Sequence, residues 1–337
     1  MSKTTTQLQV DKQGGLFSKV SVPAPTPEPG EVCIRAKAVA LNPLDWKSRA
    51  FGVMVQSWPA VFGVDAAGVV DSVGSNVKGF QPGDEVFCLC GMGNRAGAFQ
   101  EIITVPSHLV AKKPTKLSFE EAASLPICYL TAAAAVNDGL KVPLPQLDPT
   151  GTSSLESVLV LGGSSAVGAN AIQQLRMALP SATILTTSSA QHHARLIELG
   201  ATQCFDRSAQ NDTAAIRAAA PGGAGVDAIL DPVGAAVSAP AVFTALDPSG
   251  PKVFSQVVTG PTAEVPEGVN STTVFGRQIF GAKGGMSAMP GLADLYQSGK
   301  YQLPVKVEVT GQGLDAIEPG LGKLMKGVSG CKYVVSL

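Results

Sequence analysis

Hydrophobic and polar positions change their periodicity part-way along the chain. Up to about residue 125, short runs of mixed apolar and alternating character at 32–40, 67–73 and 85–89 predict β-strands, and turns containing Pro-Gly separate them. From Ser118 onward the pattern becomes helix, strand, helix, strand. Apolar strands that alternate with helices indicate a parallel sheet covered on both faces. We therefore predict a domain boundary near residue 128.

Within the second region the segments follow one another closely. We predict strands at 157–161, 183–187, 203–205, 227–231 and 252–258, and helices at 167–179, 192–199 and 212–220. Residues 142–155, rich in Pro, Ser and Thr, are predicted to form a surface loop before the first of these strands. After Gly285, helices at 288–297 and 314–326 and strands at 304–309 and 332–336 are compatible with a return to the first domain. The pattern alone does not establish that return.

Composition and charge exclude several classes of protein. The 337 residues predict about two domains at roughly 150 residues each, and 45% hydrophobic against 15% charged residues argues against disorder. Lys plus Arg (25) nearly balances Asp plus Glu (26), which disfavours nucleic-acid binding. No run of apolar residues reaches the length of a membrane span, and the N-terminus lacks the apolar core of a secretory signal. Six scattered cysteines predict reduced thiols in a cytoplasmic protein.

The strongest local signal is a glycine-rich turn. Residues 158–168 read Val-Leu-Val-Leu-Gly-Gly-Ser-Ser-Ala-Val-Gly and lead into a predicted helix. This is the context of a dinucleotide fingerprint, because small residues admit the pyrophosphate and the helix N-terminus supplies N–H groups. Ser165 replaces the usual middle glycine, and an ordinary turn of an α/β fold is the alternative. The residues predicted to bind the coenzyme here are Gly163, Ser164, Ser165, Ala166 and Val167.

The end of the next strand indicates which dinucleotide is bound. Enzymes that use NAD normally place Asp or Glu there, to accept hydrogen bonds from the ribose hydroxyls. Here the strand ends in Ser188 and Ser189, His192 follows shortly after, and no carboxylate appears before Glu198. This neutral sequence favours the 2′-phosphate of NADPH, with Arg207 as its partner. The alternative is that His192 and Arg207 are solvated surface residues.

Further segments lie in order along the whole chain. They are Leu-Asn-Pro-Leu-Asp-Trp-Lys at 41–47, Phe-Gly-Val-Asp-Ala-Ala-Gly-Val-Val at 62–70, Val-Gly-Ser-Asn-Val at 73–77, Gly-Asp-Glu-Val at 83–86, Ala-Phe-Gln-Glu at 98–101, Leu-Pro at 125–126, Leu-Thr-Ala at 130–132, Val-Asp-Ala-Ile-Leu-Asp-Pro-Val-Gly at 226–234 and Ser-Gly-Cys-Lys-Tyr-Val-Val at 329–335. With the nucleotide turn, they resemble the medium-chain dehydrogenase/reductase (MDR) superfamily, specifically its zinc-lacking quinone oxidoreductase and enoyl reductase branch. The insertion at 144–149 is most similar to fungal CipB-like oxidoreductases, often labelled zinc-binding, and to trans-acting enoyl reductases.

The resemblance implies a two-domain α/β fold. A GroES-like, β-rich catalytic domain is expected at residues 1–128 and 286–337. A Rossmann domain with a doubly wound parallel sheet, which binds NADP(H), is expected at residues 129–285. The branch includes both dimers and monomers, so a homodimer is one expectation.

The resemblance also bears on metal binding. Metal-using relatives carry a Cys in the segment 42–45 and a His-Glu pair near Val64 and Asp65, and this sequence has neither. Cys88-Leu89-Cys90 offers too few cysteines for a structural zinc site. We therefore predict no metal. An alkene conjugated to a carbonyl suits such a site, because hydrogen-bond donors suffice to stabilise an enolate oxygen.

Candidate catalytic residues follow from the resemblance. It implies that Asn42 lies in the cleft beside the nicotinamide, and that Thr131 holds the carboxamide or ribose edge. Lys47 and Tyr129 are candidate proton donors, with a surface lysine and a core tyrosine as the alternatives.

The resemblance assigns the remaining coenzyme contacts. His192 and Arg207 fall where relatives place Lys and Tyr around the 2′-phosphate. Val233 lies at the strand end that lines the ribose, where Asp231 is either part of the lining or a structural cap.

The predicted function is NADPH-dependent, metal-independent transfer of hydride to the β-carbon of an enone, quinone or enoyl thioester. Two alternatives remain open: a non-catalytic nucleotide-binding redox sensor or structural protein, and a reductase of ketones or aldehydes. The expected partner is a small-molecule substrate, free or tethered to a carrier, with no nucleic acid and no membrane. Loops at 49–58 and 258–272 are the candidates for lining the substrate.

Overall fold

The computed structural model describes residues 4–337. Its strands in chain order are β1 Thr4–Val10, β2 Phe17–Pro23, β3 Glu31–Ala40, β4 Ala60–Val61, β5 Asp65–Val73, β6 Glu85–Leu89, β7 Ile102–Pro106, β8 Val110–Lys112, β9 Ser157–Val160, β10 Thr183–Thr187, β11 Gln203–Phe205, β12 Ala228–Asp231, β13 Val253–Val257, β14 Asn270–Val274, β15 Lys306–Gln312 and β16 Cys331–Ser336. Its α-helices are α1 Pro43–Phe51, α2 Phe119–Ala123, α3 Pro126–Ala134, α4 Ala166–Ala178, α5 His193–Glu198, α6 Ala214–Ala219, α7 Ala235–Ser238, α8 Ala288–Gln297 and α9 Ile317–Met325. Within these residues, no helix is both long and apolar enough to cross a membrane.

The chain divides into two compact units. The first runs to Ile127 and includes Leu292–Leu337, and the second is Cys128–Gly291. The sequence prediction set the second boundary at 285/286, a few residues earlier.

The strands of the first unit pair in antiparallel fashion, except that β15 and β16 are parallel. One sheet has the order β15-β16-β3-β5-β6-β8, with β7 also paired to β3, and a smaller sheet has the order β2-β1-β4. The last strand, β16, runs antiparallel to β3, with Val334 opposite Ala40. Val32, Ile34 and Val39 of β3 share one buried cluster with Leu321 and Val335 from the end of the chain. The C-terminal segment thus completes the core of this unit.

The second unit contains a parallel sheet. Its strand order is β11-β10-β9-β12-β13-β14, and every neighbouring pair is parallel. From β9 the strand order runs outward through β10 and β11 on one side and through β12, β13 and β14 on the other. The point between β9 and β12 is therefore the switch point, where doubly wound folds bind their ligands. All residues of β9 are buried, as expected for a central strand covered on both faces. The predicted fold class is confirmed.

The segments 49–58 and 258–272, which were predicted to be substrate-lining loops, contain regular structure. Helix α1 extends to Phe51, and β14 begins at Asn270. In α1, the Asn42 cap, Pro43 in the first turn and Asp45 three residues after the cap were available as helix signals. Strand β14 reads Asn-Ser-Thr-Thr-Val and is mostly exposed at the edge of the sheet, so no apolar pattern marks it. The predicted loop at 142–155 is irregular, although Leu144 is fully buried.

Candidate coenzyme and catalytic sites

The glycine-rich turn connects β9 to α4 at the switch point of the parallel sheet. Gly162 has a φ of +60°, and a Cβ there would lie 2.8 Å from Val233 Cγ2. A Cβ on Gly163 would lie 2.1 Å from Thr186 Oγ1, and one on Gly168 would lie 2.6 Å from the carbonyl oxygen of Gly162. These glycines therefore allow β9, β10 and α4 to approach closely. Gly163 itself is buried in that packing.

The start of α4 has the features of a phosphate site. Ser165 is the N-cap, and its Oγ accepts a hydrogen bond from Gly168 N at 3.0 Å. The side chains of Ser164 through Val167 remain partly exposed. Ala166 and Val167 open the helix, so their N–H groups have no acceptor within it. Free N–H groups and the positive end of the helix dipole fit a pyrophosphate.

The residues predicted to contact the adenosine phosphate lie near one another after β10 and β11. The exposed guanidinium of Arg207 donates to Ser189 Oγ at 2.7 Å. Ser188 is buried and donates its N–H to the carbonyl of Phe205 at 2.9 Å. The half-buried His192 donates its N–H to the carbonyl of Ser189 at 3.0 Å. The neighbouring carboxylate of Asp206 accepts from Ser208, which lowers its pKa.

Asp231 is a helix cap. Its carboxylate accepts hydrogen bonds from four consecutive backbone N–H groups, those of residues 233–236, at 2.8–3.1 Å. Of the two roles left open for this residue, the structure gives the structural one. Val233, the first of these residues, keeps 42% of its surface exposed beside Gly162.

Tyr129 and Thr131 lie on α3. Tyr129 is fully buried, and its hydroxyl accepts from Gln146 Nε2 at 3.1 Å. Burial raises the pKa of the Tyr129 phenol, which makes it a weaker acid than an exposed tyrosine. These observations favour the core role over the proton-donor role for Tyr129. Thr131 is also buried.

Asn42 belongs to a buried charged cluster in the first unit. Its Nδ2 donates to Asp65 Oδ2 at 2.9 Å, and its Oδ1 accepts from Lys332 Nζ. Lys332 Nζ lies 3.4 Å from Asp65 Oδ2, and Asp65 Oδ1 accepts from Ile127 N at 2.8 Å. Sequence reasoning selected Asn42 but assigned no role to Asp65 or Lys332. The lysine comes from the last strand, so no local pattern connects the two.

Asp45 lies beside this cluster on α1. It accepts from Asn42 N at 2.8 Å through Oδ2, and its Oδ1 has no hydrogen-bond partner. Burial raises the pKa of Asp45 to about 8, with a smaller contribution from the charge of Asp65. The pKa of Asp65 is also raised by burial, although Lys332 opposes the shift. At a pKa of about 8, Asp45 is mostly protonated at neutral pH, and the ion pair of Lys332 is with Asp65.

Lys47 is half-buried on the same helix. Its Nζ lies 5.6 Å from the centre of the Trp46 ring, at cation–π distance.

The residues do not fit a metal ion. Within residues 4–337, no group of three or more His, Cys, Asp or Glu side chains is arranged to hold one. The carboxylate of Asp65 is already paired with an ammonium, and Cys88 and Cys90 form a buried thiol pair with sulfurs 3.5 Å apart.

Two family models match the chain. The alcohol dehydrogenase GroES-like domain matches residues 28–115, and the zinc-binding dehydrogenase model matches residues 166–298. The trans-enoyl reductase tndF of Aspergillus flavipes is 33% identical over 349 residues, which cover 96% of each chain. The chain belongs to the MDR superfamily. As an MDR protein it is an oxidoreductase that uses a nicotinamide coenzyme.

Other MDR proteins are similarly related. The zinc-binding alcohol dehydrogenase domain-containing protein cipB of Emericella nidulans is 31% identical over 331 residues, covering 95% of this chain and 94% of its own. The quinone oxidoreductase of Coxiella burnetii superposes with a TM-score of 0.75 at 24% identity, covering 99% of this chain and all of that one. At that identity the likeness concerns the fold alone.

Proposed function

We propose that this MDR protein is an NADPH-dependent reductase of conjugated carbonyl compounds: enones, quinones or enoyl thioesters. The observation that carries the proposal is the buried cluster of Asn42, Asp65 and Lys332. Asn42 and Asp65 lie in the two segments where the resemblance expects metal ligands, and with Lys332 from β16 they offer an amide, a carboxylate and an ammonium instead. Conjugate reduction does not require a Lewis acid, because hydrogen bonds suffice to stabilise a developing enolate oxygen, and no step of the proposal involves zinc.

The coenzyme supplies the hydride when it is bound. The N–H groups at the start of α4 and the Ser164 and Ser165 side chains would hold its pyrophosphate. Thr131 would hold the carboxamide or ribose edge, as the resemblance implies.

Arg207, Ser189 and His192 support the preference for NADPH. The guanidinium lies at the carboxyl end of the parallel strands and is exposed, and Ser189 offers a hydroxyl rather than a carboxylate. A 2′-phosphate can form charge-assisted hydrogen bonds with this set, whereas NADH would leave the charge of Arg207 without such a partner.

The substrate class draws on the relatives. The name trans-enoyl reductase given to tndF supports an α,β-unsaturated acyl thioester, free or carrier-tethered, as one substrate.

The test is turnover with a defined panel. The purified protein would be incubated with NADPH or NADH and a quinone, an enone, an enoyl thioester and a saturated ketone, while the loss of reduced-nicotinamide absorbance and the products are recorded. With the enone and the enoyl thioester we expect NADPH oxidation and a saturated C–C bond with the carbonyl intact, and with the quinone we expect NADPH oxidation and the hydroquinone. An alcohol with the alkene retained would select the carbonyl reductase instead. NADPH binding without turnover on any substrate would select the non-catalytic alternative.

A further inference from the structure

Lys332 reaches Asn42 from the last strand of the chain. Its side chain is 6% exposed, and its ammonium contacts both Asn42 Oδ1 and Asp65 Oδ2. A buried ammonium without a counter-charge is strongly destabilising, and Asp65 supplies that charge.

These contacts determine which way the Asn42 amide faces. Nδ2 donates to Asp65 Oδ2 at 2.9 Å and to the Ala40 carbonyl at 3.3 Å, while Oδ1 accepts from Lys332. The reversed amide would turn its NH₂ group towards an ammonium, which has no acceptor, and its oxygen towards a carboxylate, which has no donor. Both mismatches would be buried, where unpaired polar groups are most unfavourable. Without the charges, the terminal torsion of an asparagine has a broad two-fold preference.

We propose that Lys332 is a positioning residue for Asn42, acting as a charge pair with Asp65 and making no contact with the substrate. The inference rests on the proposed function, because only that reaction gives Asn42 a catalytic role. Lys332 determines the orientation of the amide. Because both Nδ2 protons are donated within the cluster, the amide acts at the reacting groups through the second lone pair of Oδ1.

A double-mutant cycle tests whether Lys332 acts through Asn42. NADPH oxidation with a soluble quinone would be measured for the wild type, Asn42→Ala, Lys332→Met and the double variant. We expect Lys332→Met to lower kcat by about tenfold or more while the quinone KM changes by less than about twofold. In the Asn42→Ala background, the same substitution should lower kcat by no more than about twofold, since no amide remains to be oriented. The control is Lys306→Met, an exposed lysine on β15 opposite Cys331, which should retain the wild-type kcat.

A second variant keeps the test valid if Lys332→Met does not fold, because that substitution leaves Asp65 buried without a counter-charge. Asp65→Asn combined with Lys332→Met removes both charges. Its single amide oxygen can accept from Asn42 Nδ2 or from Ile127 N, so one of these two hydrogen bonds is lost. We expect this pair to fold and to lower kcat by a factor similar to that of Lys332→Met.

Hydrogen exchange of the Asn42 side-chain NH₂ group, followed by NMR in isotope-labelled protein, gives a structural readout that does not depend on turnover. The NMR signal of this group is assigned by its loss in Asn42→Ala. Because this group is buried and donates two hydrogen bonds, its protons should exchange slowly in the wild type and in Lys306→Met. The same protons should exchange at least about tenfold faster in the double variant Asp65→Asn with Lys332→Met, the charge-free pair.

The outcomes separate the inference from the proposed function. A wild-type protein that oxidises no NADPH with any substrate refutes the proposed function, and the exchange measurement then decides the positioning of Asn42 by itself. Wild-type exchange in the charge-free pair overturns the inference. The inference is also overturned if Lys332→Met has the kcat of the wild type. It is likewise overturned if the kcat of the double variant falls by the product of the two single-variant effects, because the two residues then act independently.

Discussion

Under the proposed function, Arg207 is the residue on which the preference for NADPH should depend most directly. Hydrogen bonds to a charged group contribute about 1.5–3 kcal/mol, so Arg207→Ala should weaken NADPH binding by about 10- to 100-fold and leave NADH binding nearly unchanged. Removing the guanidinium would also leave the ionised Asp206 next to the proposed 2′-phosphate, which adds repulsion. Dissociation constants from coenzyme fluorescence titration measure both effects.

The matched control for this experiment is Arg195→Ala. Arg195 lies on α5 and forms a surface ion pair with Glu198 at 3.0 Å. The Arg195→Ala variant should have dissociation constants for NADPH and NADH within about twofold of those of the wild type. Equal losses for NADPH and NADH in Arg207→Ala would contradict the proposed 2′-phosphate contact.

Asp45 makes stability depend on pH. Its pKa is raised to about 8 in the folded protein against an ordinary value of 3.8, so the folded state holds a proton that the unfolded state releases. The free energy of unfolding should therefore fall as pH rises from about 4 to about 8, by at most about 1.4 kcal/mol per pH unit from this group. Asp45→Asn keeps an oxygen for the Asn42 N–H and does not titrate, so its stability should fall less steeply.

Denaturant unfolding at several pH values, with Asp294→Asn as the exposed control on α8, checks this expectation. In Asp45→Asn the free energy of unfolding should still fall as pH rises, although less steeply, because burial also raises the pKa of Asp65. If Asp45→Asn and the wild type lose stability in parallel above pH 5, Asp45 is ionised in the folded protein and the argument fails.

Sequence reasoning indicated the residues of these proposed sites unevenly. Ser165 and Arg207 belong to segments whose local pattern or spacing indicates a role. Lys332 lies 290 residues from Asn42 and follows an ordinary strand pattern, so only the pairing of β16 with β3 shows that it reaches the site. Burial likewise determines that the Tyr129 phenol is a poor acid, and the sequence does not encode its burial in any short motif.

At the scale of elements, the turn between β9 and α4 combines a structural cap with the proposed pyrophosphate-binding surface. Ser165→Ala removes the hydrogen bond to Gly168 N and should lower the free energy of unfolding by about 1 kcal/mol. Ser165→Asp keeps a good capping side chain but adds a negative charge at the proposed pyrophosphate site. It should unfold like the wild type and bind NADPH at least about tenfold more weakly.

Chemical denaturation and coenzyme titration of the two variants separate the roles. The comparison between variants is the control, because each isolates one property of the same side chain. If Ser165→Asp binds NADPH as tightly as the wild type, the start of α4 does not hold the phosphates.

Elements with a strong apolar signal were predicted well. The predicted bounds of β6, β10 and β11 coincide with the observed ones, because each run is flanked by turn residues. The polar edge strand β14 was missed, because its register is set by backbone pairing with β13 and by few buried side chains. Edge strands of this kind are specified by their neighbours more than by their own residues.

At the scale of the whole molecule, the first unit depends on both ends of the chain. The pattern predicted strands in the tail but left their partners open, since pairing between β16 and β3 spans almost the whole sequence. The superfamily resemblance supplied what periodicity does not contain, namely which distant segments share a sheet.

Leu321 tests that dependence. It is buried on α9 in the cluster that includes Phe62 and Phe99, and both tryptophans of the chain, Trp46 and Trp58, pack against the same cluster. Leu321→Ala should lower the free energy of unfolding, followed by tryptophan fluorescence, by about 2–5 kcal/mol, because it leaves a cavity in this core. Met325→Ala, at a 60% exposed position on the same helix, should change it by less than about 0.5 kcal/mol. An unchanged tryptophan transition in Leu321→Ala would mean that the C-terminal helix does not belong to the core of this unit, and the placement of Lys332 beside Asn42 would lose its structural basis.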